Sequence, residues 1–456
     1  MRHHLLPYTM ICSLTLTILG IYYAFTPPPI NTWENFLTFW FSVSILVTFL
    51  ILLFTNIAEN SITKNSLKQC INLLTTAPIG IVGGLILLSG CISTIAILTG
   101  FRHDYIAYIQ QWSVILQGDD PWNPVQKIPT NAYGPLFNVL ALFYAIHPLA
   151  PKLLFCISSL GASTWLIKIL GKRYRKEPLI MLAGLLFLFI NPFLLLTIAE
   201  QGLFDILPAI TILSAIVLRT RRYFLSSGLV LGIGVLFKYY PIVLLPFLMI
   251  DQRRVKLSPL LSCFGIVSSG FTISCSIWGM STFSPIFLAT ERASKQISIF
   301  RFLRGRFSPL HLLTDSPNLD KYSIYATVVF ILLVIFLSWL RNIETSLAGM
   351  IVMLTALTFY KVGHLQFYTC LFFMMPFWYT TSVLPETRKL KILLSNGIFL
   401  MWIASLQLAY SLSGLREPPW LYLRDIVGLP SFLLAGWAII TAIHYGTLMT
   451  SLTDTQ

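Results

Sequence analysis

Two long polar stretches of this 456-residue chain gather side chains able to handle a proton and an anion. The first begins Phe101-Arg102-His103-Asp104-Tyr105 and runs through Gly118-Asp119-Asp120-Pro121-Trp122 to Tyr133-Gly134-Pro135-Leu136. Asp104 stands just past an apolar run, where a carboxylate can be partly desolvated and tuned toward general-base work. The same position suits an Asp that caps a juxtamembrane helix. Asp119 and Asp120 precede a proline and read as turn residues. In the second stretch Arg292, Lys295, Arg301, Arg304 and Arg306 stand against one acid, Glu291. Forked guanidinium donors suit a phosphate oxyanion, and a basic cluster also suits anionic lipid headgroups.

Lys238, in Lys238-Tyr239-Tyr240-Pro241, interrupts an apolar stretch. A lone Lys there invites an anionic partner or snorkels to the interface. Two tight turns add polar groups: Ile198-Ala199-Glu200-Gln201-Gly202-Leu203-Phe204-Asp205 and Lys361-Val362-Gly363-His364-Leu365-Gln366. Singly, such residues are ordinary helix caps. Together they describe a cavity with one base, several cations and aromatic walls, suited to an anionic, lipid-linked ligand.

The elements that must position these groups are membrane helices. The chain is 56% hydrophobic and 11% charged, with a mean hydropathy of +0.77. A soluble domain carries roughly 25% charged residues. Apolar runs near the ~20 residues needed to cross hydrocarbon recur without alternation, so helices rather than barrel strands are expected. The runs fall at 5–25, 36–55, 79–99, 152–171, 178–197, 203–219, 224–237 with 241–251, 257–280, 322–341, 345–360, 366–384, 391–411 and 430–447. This predicts an all-α polytopic bundle of about 13–14 membrane helices in a single domain. The halves 224–237 and 241–251 are short and read as a broken or re-entrant pair, tolerated where backbone lines a cavity. The first run reads as a retained helix rather than a cleaved signal.

Basic clusters at 172–176, 219–222, 253–256 and 388–391 mark inner loops by the positive-inside rule. The count then places 100–151, 281–321, 361–365 and 412–429 on the outer face, with the turns at 198–202 and 238–241. The net charge of +14 is therefore read as membrane topology, not nucleic-acid binding. Seven cysteines show no CxxC or CxxxH spacing, so neither a disulfide framework nor a metal site is read. Phosphate-cradling glycine loops and dinucleotide fingerprints are absent from the sequence.

The order of these motifs resembles the GT-C glycosyltransferases, which take sugars from polyprenyl-phosphate donors. Within them it is most similar to glycosyltransferase family 87, the polyprenol-phosphate-mannose-dependent mannosyltransferases, and to the first mannosyltransferase of GPI-anchor assembly. The resemblance spans roughly residues 100–385. Asp104-Tyr105, Gly118-Asp119-Asp120-Pro121-Trp122 and Tyr133-Gly134-Pro135-Leu136 resemble the family's first outer loop. Gln201-Gly202 with Asp205 resembles an Asn-Gln-Gly-Asp turn, with Glu200 where Asn is usual and the Asp displaced. Gly228 to Pro241 is similar to a glycine-rich helix ending in Lys-x-x-Pro. Arg304-Gly305-Arg306-Phe307-Ser308-Pro309 and Lys361-Val362…Gln366-Phe367 resemble two later elements. The two helices before residue 79 are extra to that pattern.

The resemblance implies Asp104 as catalytic base, Lys238, Arg301, Arg304 and Arg306 as donor-phosphate ligands, and substrate contacts at Tyr105, Tyr133, Glu200, Gln201, Asp205, Tyr239, Lys361, His364 and Gln366. The expected activity is inverting transfer of a hexose, mannose by preference, from a polyprenyl phosphate to a hydroxyl of a glycan or glycolipid acceptor. No metal or other cofactor is called for. A flippase or transporter of lipid-linked sugars is the alternative, and would show charges deep in several helices. With no Asn-x-Ser/Thr sequon, a bacterial inner membrane with the site facing the periplasm is expected.

Overall fold

The computed structural model describes residues 78–98, 101, 103–122, 133–174, 184–185, 188–189, 191, 194–251, 254–291, 295–296, 319–341, 343, 345–360 and 362–381. The expected helices at 5–25, 36–55, 391–411 and 430–447 lie outside these residues. So do the inner loop at 388–391, the outer segment 412–429 and much of the run at 178–197.

The described chain is all-α apart from two pairs of two-residue strands. Helix α1 is Pro78–Leu98. The outer stretch that follows folds into α2 (His103–Leu116), a 3-10 turn (Pro135–Leu140) and α3 (Ala141–Ile146). Then come α4 (Ala150–Tyr174), a π-helical turn (Leu195–Glu200), α5 (Ile206–Thr220) and α6 (Phe224–Phe237). A 3-10 turn (Tyr240–Leu244), α7 (Leu245–Met249), a hairpin of β1 (Ile250–Asp251) and β2 (Arg254–Val255), and α8 (Ser258–Trp278) follow. A 3-10 turn (Gly279–Phe283), α9 (Ser284–Glu291) and β3 (Lys295–Gln296) come next. The last elements are α10 (Leu319–Arg341), α11 (Thr345–Phe359), β4 (Val362–Gly363), a 3-10 turn (Leu365–Tyr368) and α12 (Thr369–Thr381).

Three of the described helical segments, Ala150–Lys172, Ser258–Phe287 and Tyr322–Leu340, are long and apolar enough to cross a membrane. Their exposure fits a lipid surround. On α8, Leu261, Phe264, Ile273 and Ile277 face outward; on α10, Val328, Val329, Leu332 and Phe336 do. The centre is formed by α5, α11 and α12, where Ile212, Ile216, Val352, Met353, Leu371 and Phe373 are buried. Helix α6 lies against α5 on one side and α8 on the other. Its small residues permit close approach to α8: a side chain at Gly228 would strike the Pro259 carbonyl. The Ser262 hydroxyl donates to the Leu225 carbonyl across that seam (2.8 Å).

The expected break after 237 is present. Helix α6 ends at Phe237, Lys238 is extended (φ −155°, ψ 138°), and a 3-10 turn begins at Tyr240. Pro241 has no N–H to continue a helix and disfavours helical backbone at the residue before it.

Candidate functional site

Helix α2 is the outer wall of the site. Tyr105, Tyr108 and Trp112 recur at helical spacing and are fully buried, while Asp104 and Ile106 are exposed. The buried face meets an aromatic layer built by the next elements. The Tyr108 ring lies 5.1 Å from Phe137, 5.5 Å from Tyr133 and 5.7 Å from Phe204, all edge-on. Two polar contacts tie this layer together: Gln111 Nε2 donates to Asn138 Oδ1 (2.8 Å) and the Tyr105 hydroxyl to the Pro148 carbonyl (2.7 Å). Asp120 Oδ1 accepts from the Trp122 N–H (2.9 Å), the turn role expected of it. Asp104, expected in a partly desolvated position, is instead on the exposed side of the first turn of α2. The helical period places it one turn before Tyr108, at the edge of the aromatic face.

The Tyr133-Gly134-Pro135 element docks on the end of α6. The Gly134 N–H donates to the Phe237 carbonyl (3.0 Å), and a side chain at Gly134 would strike the Leu236 carbonyl. The Tyr239 hydroxyl donates to the Tyr133 carbonyl (3.1 Å). These bonds hold the first outer stretch against the residues that carry Lys238.

Lys238 is only 5% exposed, and its Nζ donates to Asp205 Oδ1 at 2.7 Å. It neither snorkels to water nor stands alone; the chain supplies the anionic partner itself. Four rings surround the ammonium: Phe367 at 4.1 Å, Phe204 at 5.1 Å, Tyr133 at 5.3 Å and Tyr240 at 6.0 Å. Such faces attract a desolvated cation.

The turn carrying Asp205 is fixed from its other side by a residue that sequence reasoning passed over. Lys152, in the first turn of α4, is fully buried; its Nζ donates to the Glu200 carbonyl (2.6 Å) and lies 5.1 Å from the Tyr105 ring. Gly202 has φ +66°, and a side chain there would collide with Lys152 and Tyr105. Glu200 is buried at the end of the π-helical turn, and Gln201 is partly exposed. The available signal was a lysine inside an otherwise apolar helix start, Ala150-Pro151-Lys152-Leu153-Leu154.

The late turn joins the same centre. Phe367 is one wall of the Lys238 cage and stacks 5.4 Å from Tyr240. Gln366 is buried, and the partly exposed His364 ring lies 5.3 Å from Phe367. Strand β3 pairs in parallel with β4, Lys295 opposite Val362 and Gln296 opposite Gly363, so the second outer stretch is tied to this turn. Arg301, Arg304, Arg306 and Lys361 lie outside the described residues.

No family model and no curated protein matches this chain.

The structure thus brings together Tyr105, Tyr133, Glu200, Asp205, Lys238, Tyr239 and Gln366, residues from five separate elements. They surround the N-terminal end of α5 and the C-terminal end of α6, with Asp104 exposed on α2. Apolar side chains border the group: Val139, Leu142, Phe143 and Ile146 are exposed on the helix following the Tyr-Gly-Pro turn. Chemically, this is a buried cation–carboxylate centre on the same stretch of chain ends as an exposed carboxylate and an exposed apolar surface.

Proposed function

We propose that the protein is a polytopic membrane glycosyltransferase of the GT-C kind, moving a hexose, mannose by preference, from a polyprenyl phosphate to a glycan or glycolipid hydroxyl on the outer face. The observation that carries this reading is the buried Asp205–Lys238 pair, covered by Tyr133 from the stretch that also carries Asp104 and the exposed apolar helix Ala141–Ile146. A lipid-linked donor needs a carboxylate to take a proton, cations near a phosphate, and an apolar surface beside them.

In the proposed reaction the acceptor oxygen attacks the anomeric carbon and gives its proton to Asp104. The new C–O bond forms as the bond from that carbon to the phosphate oxygen breaks, and polyprenyl phosphate leaves with the electron pair. One displacement inverts the anomeric centre and requires one base. The charge developing on the leaving phosphate meets cations drawn from Arg301, Arg304, Arg306 and Lys238. An exposed Asp104 suits an acceptor arriving from the aqueous side. The buried charges Lys152, Asp205 and Lys238 all sit at helix ends. That placement suits a boundary enzyme better than a path through the bilayer.

The test is transfer from polyprenyl-phosphate mannose by the purified full chain and its Asp104→Asn variant. Removal of a general base should lower turnover about 10²–10⁴-fold with donor affinity unchanged. Wild-type turnover by the variant would remove Asp104 from the reaction. Failure of the wild type to release sugar from any polyprenyl-phosphate hexose would remove the enzyme reading.

A further inference from the structure

We infer that the C-terminal end of α5, with the β1–β2 hairpin and the start of α8, binds an anionic phospholipid. The inference goes beyond the proposed transfer reaction and does not depend on it. From residue 219 to residue 257 the sequence has one acid, Asp251, and Arg219 takes it at 3.2 Å. Arg221, Arg222, Arg254 and Lys256 are exposed, and that stretch offers no second carboxylate to answer them. Arg221 and Arg222 lie in the turn between α5 and α6. Arg254 and Lys256 lie on and just after β2. The two places are joined: Arg219 donates to the Leu248 and Ile250 carbonyls and to Asp251, and the Ser262 hydroxyl of α8 donates to the Leu225 carbonyl.

Arg222 stands where a helix end ordinarily asks for glycine. Its N–H donates to the Arg219 carbonyl and the Tyr223 N–H to the Leu218 carbonyl, both at 2.9 Å. That pair of bonds is a Schellman ending, whose left-handed residue is usually glycine. Here the residue with φ +63° is an arginine. A local preference set aside in this way gathers where a side chain has a task. The cations also border a lipid-facing stripe. The apolar segment Ser258–Phe287, long enough to cross a membrane, begins directly after Leu257. Leu257, Leu261 and Phe264 are exposed at spacings of four and three, so they run in one line from Arg254 and Lys256 down α8. A Cβ at Gly265, beside Phe264, would meet nothing within 4 Å. Tyr223 is exposed next to the arginines, as interfacial aromatic rings are. A soluble phosphate would use the cations alone. A phospholipid uses both parts, its phosphate on the cations and a chain along the stripe.

The experiment titrates the purified full chain in detergent with phosphatidylglycerol or phosphatidylcholine and counts bound lipid by native mass spectrometry. The wild type should hold phosphatidylglycerol the more tightly. One cation at a membrane surface changes affinity for anionic lipid by about 5-fold. Arg222→Gly should therefore bind phosphatidylglycerol about 5-fold more weakly. Its Tm should not fall, because glycine suits the left-handed backbone. Arg254→Gln with Lys256→Gln, both at exposed positions, should bind it about 25-fold more weakly. Phosphatidylcholine binding should stay as it is in all of them. The control is Lys168→Gln with Lys172→Gln, which removes two exposed cations from α4 and should leave phosphatidylglycerol binding nearly unchanged. An equal loss in that control means general surface charge and overturns the proposal. Undiminished binding in either test variant overturns it too. Displacement of the lipid by glycerophosphoglycerol at equal concentration would make this a site for a soluble phosphate, and the lipid assignment would fall.

Discussion

Helix α5 carries a buried cation–carboxylate pair at each end, and the two are finished differently. At its C-terminal end the Arg219 guanidinium donates to the Leu248 carbonyl (2.9 Å), the Ile250 carbonyl and Asp251 Oδ1 (3.2 Å), and lies over the Phe224 ring. Two of these three hydrogen bonds end on backbone, and the Asp251 side chain is 20% exposed, so water reaches the carboxylate. At the other end Lys238 meets Asp205 with side-chain exposures of 6% and 2%, inside four aromatic rings. One pair is a staple, tying the β1–β2 hairpin to the helix end. The other is dry on both sides and holds back an acceptor. A buried ion pair is weak grounds for stability in general, because desolvation offsets attraction. The difference therefore teaches where to look for function: at the pair whose hydrogen-bonding capacity is not used up by the fold.

The largest effect should come from breaking the outer pair on one side. Asp205→Ala takes the carboxylate from beside a buried ammonium and should cost about 3–5 kcal/mol of stability. Reversible unfolding in mixed micelles measures this. A loss under about 1 kcal/mol would mean that Lys238 finds water readily and that the cage is far more open than its geometry shows.

Replacing both partners should undo most of that loss. Lys238→Met with Asp205→Leu keeps volume in an apolar surround, a change that is often close to neutral for buried pairs. The double variant should therefore unfold within about 2 kcal/mol of wild type and yet transfer no sugar. If it remains fully active, the outer pair is a staple like the inner one, and the comparison collapses.

How much of this contrast could be read beforehand depends on its scale. The helix Phe224–Phe237 was legible to the residue, because an apolar run stops at Lys238 and a proline follows at 241. The all-α class was legible from hydropathy. That Lys238 wants an anion was legible too. Which anion was not: Asp205 lies 33 positions away, on the far side of a full helix pair. Spacing along one helix identifies a shared face, but not the residue opposite it. The same limit hid Lys152, whose burial is decided by the turn at Gly202 packing over its stem. Asp104 was placed by its distance from the preceding apolar run, but that distance does not report exposure: Asp104 is exposed in the first turn of α2, one turn before the buried Tyr108.

A subtler disturbance of the outer pair should follow from Gly202→Ala. The left-handed backbone there disfavours a side chain, and the added methyl would press on Lys152 and Tyr105. Together these should cost about 1–3 kcal/mol. Because the turn is the mount for Asp205, sugar binding should weaken more than polyprenyl-phosphate binding does. Equal weakening of both ligands would show that the turn serves the fold and not the sugar.

The smallest effect should come from the inner pair, and it is the control that gives the others meaning. Asp251→Asn leaves an oxygen to accept from Arg219 and removes one charge at a partly exposed position. The guanidinium keeps the Leu248 and Ile250 carbonyls. An exposed ion pair contributes about 0–1 kcal/mol, so the loss should be under about 1 kcal/mol and should shrink further in high salt. Transfer per folded molecule should be unchanged, because the hairpin lies at the opposite end of α5 from Asp205. If Asp251→Asn instead costs as much as Asp205→Ala, solvent screening is not what separates the two ends. The unused oxygen of Asp205 would then have to explain the contrast alone.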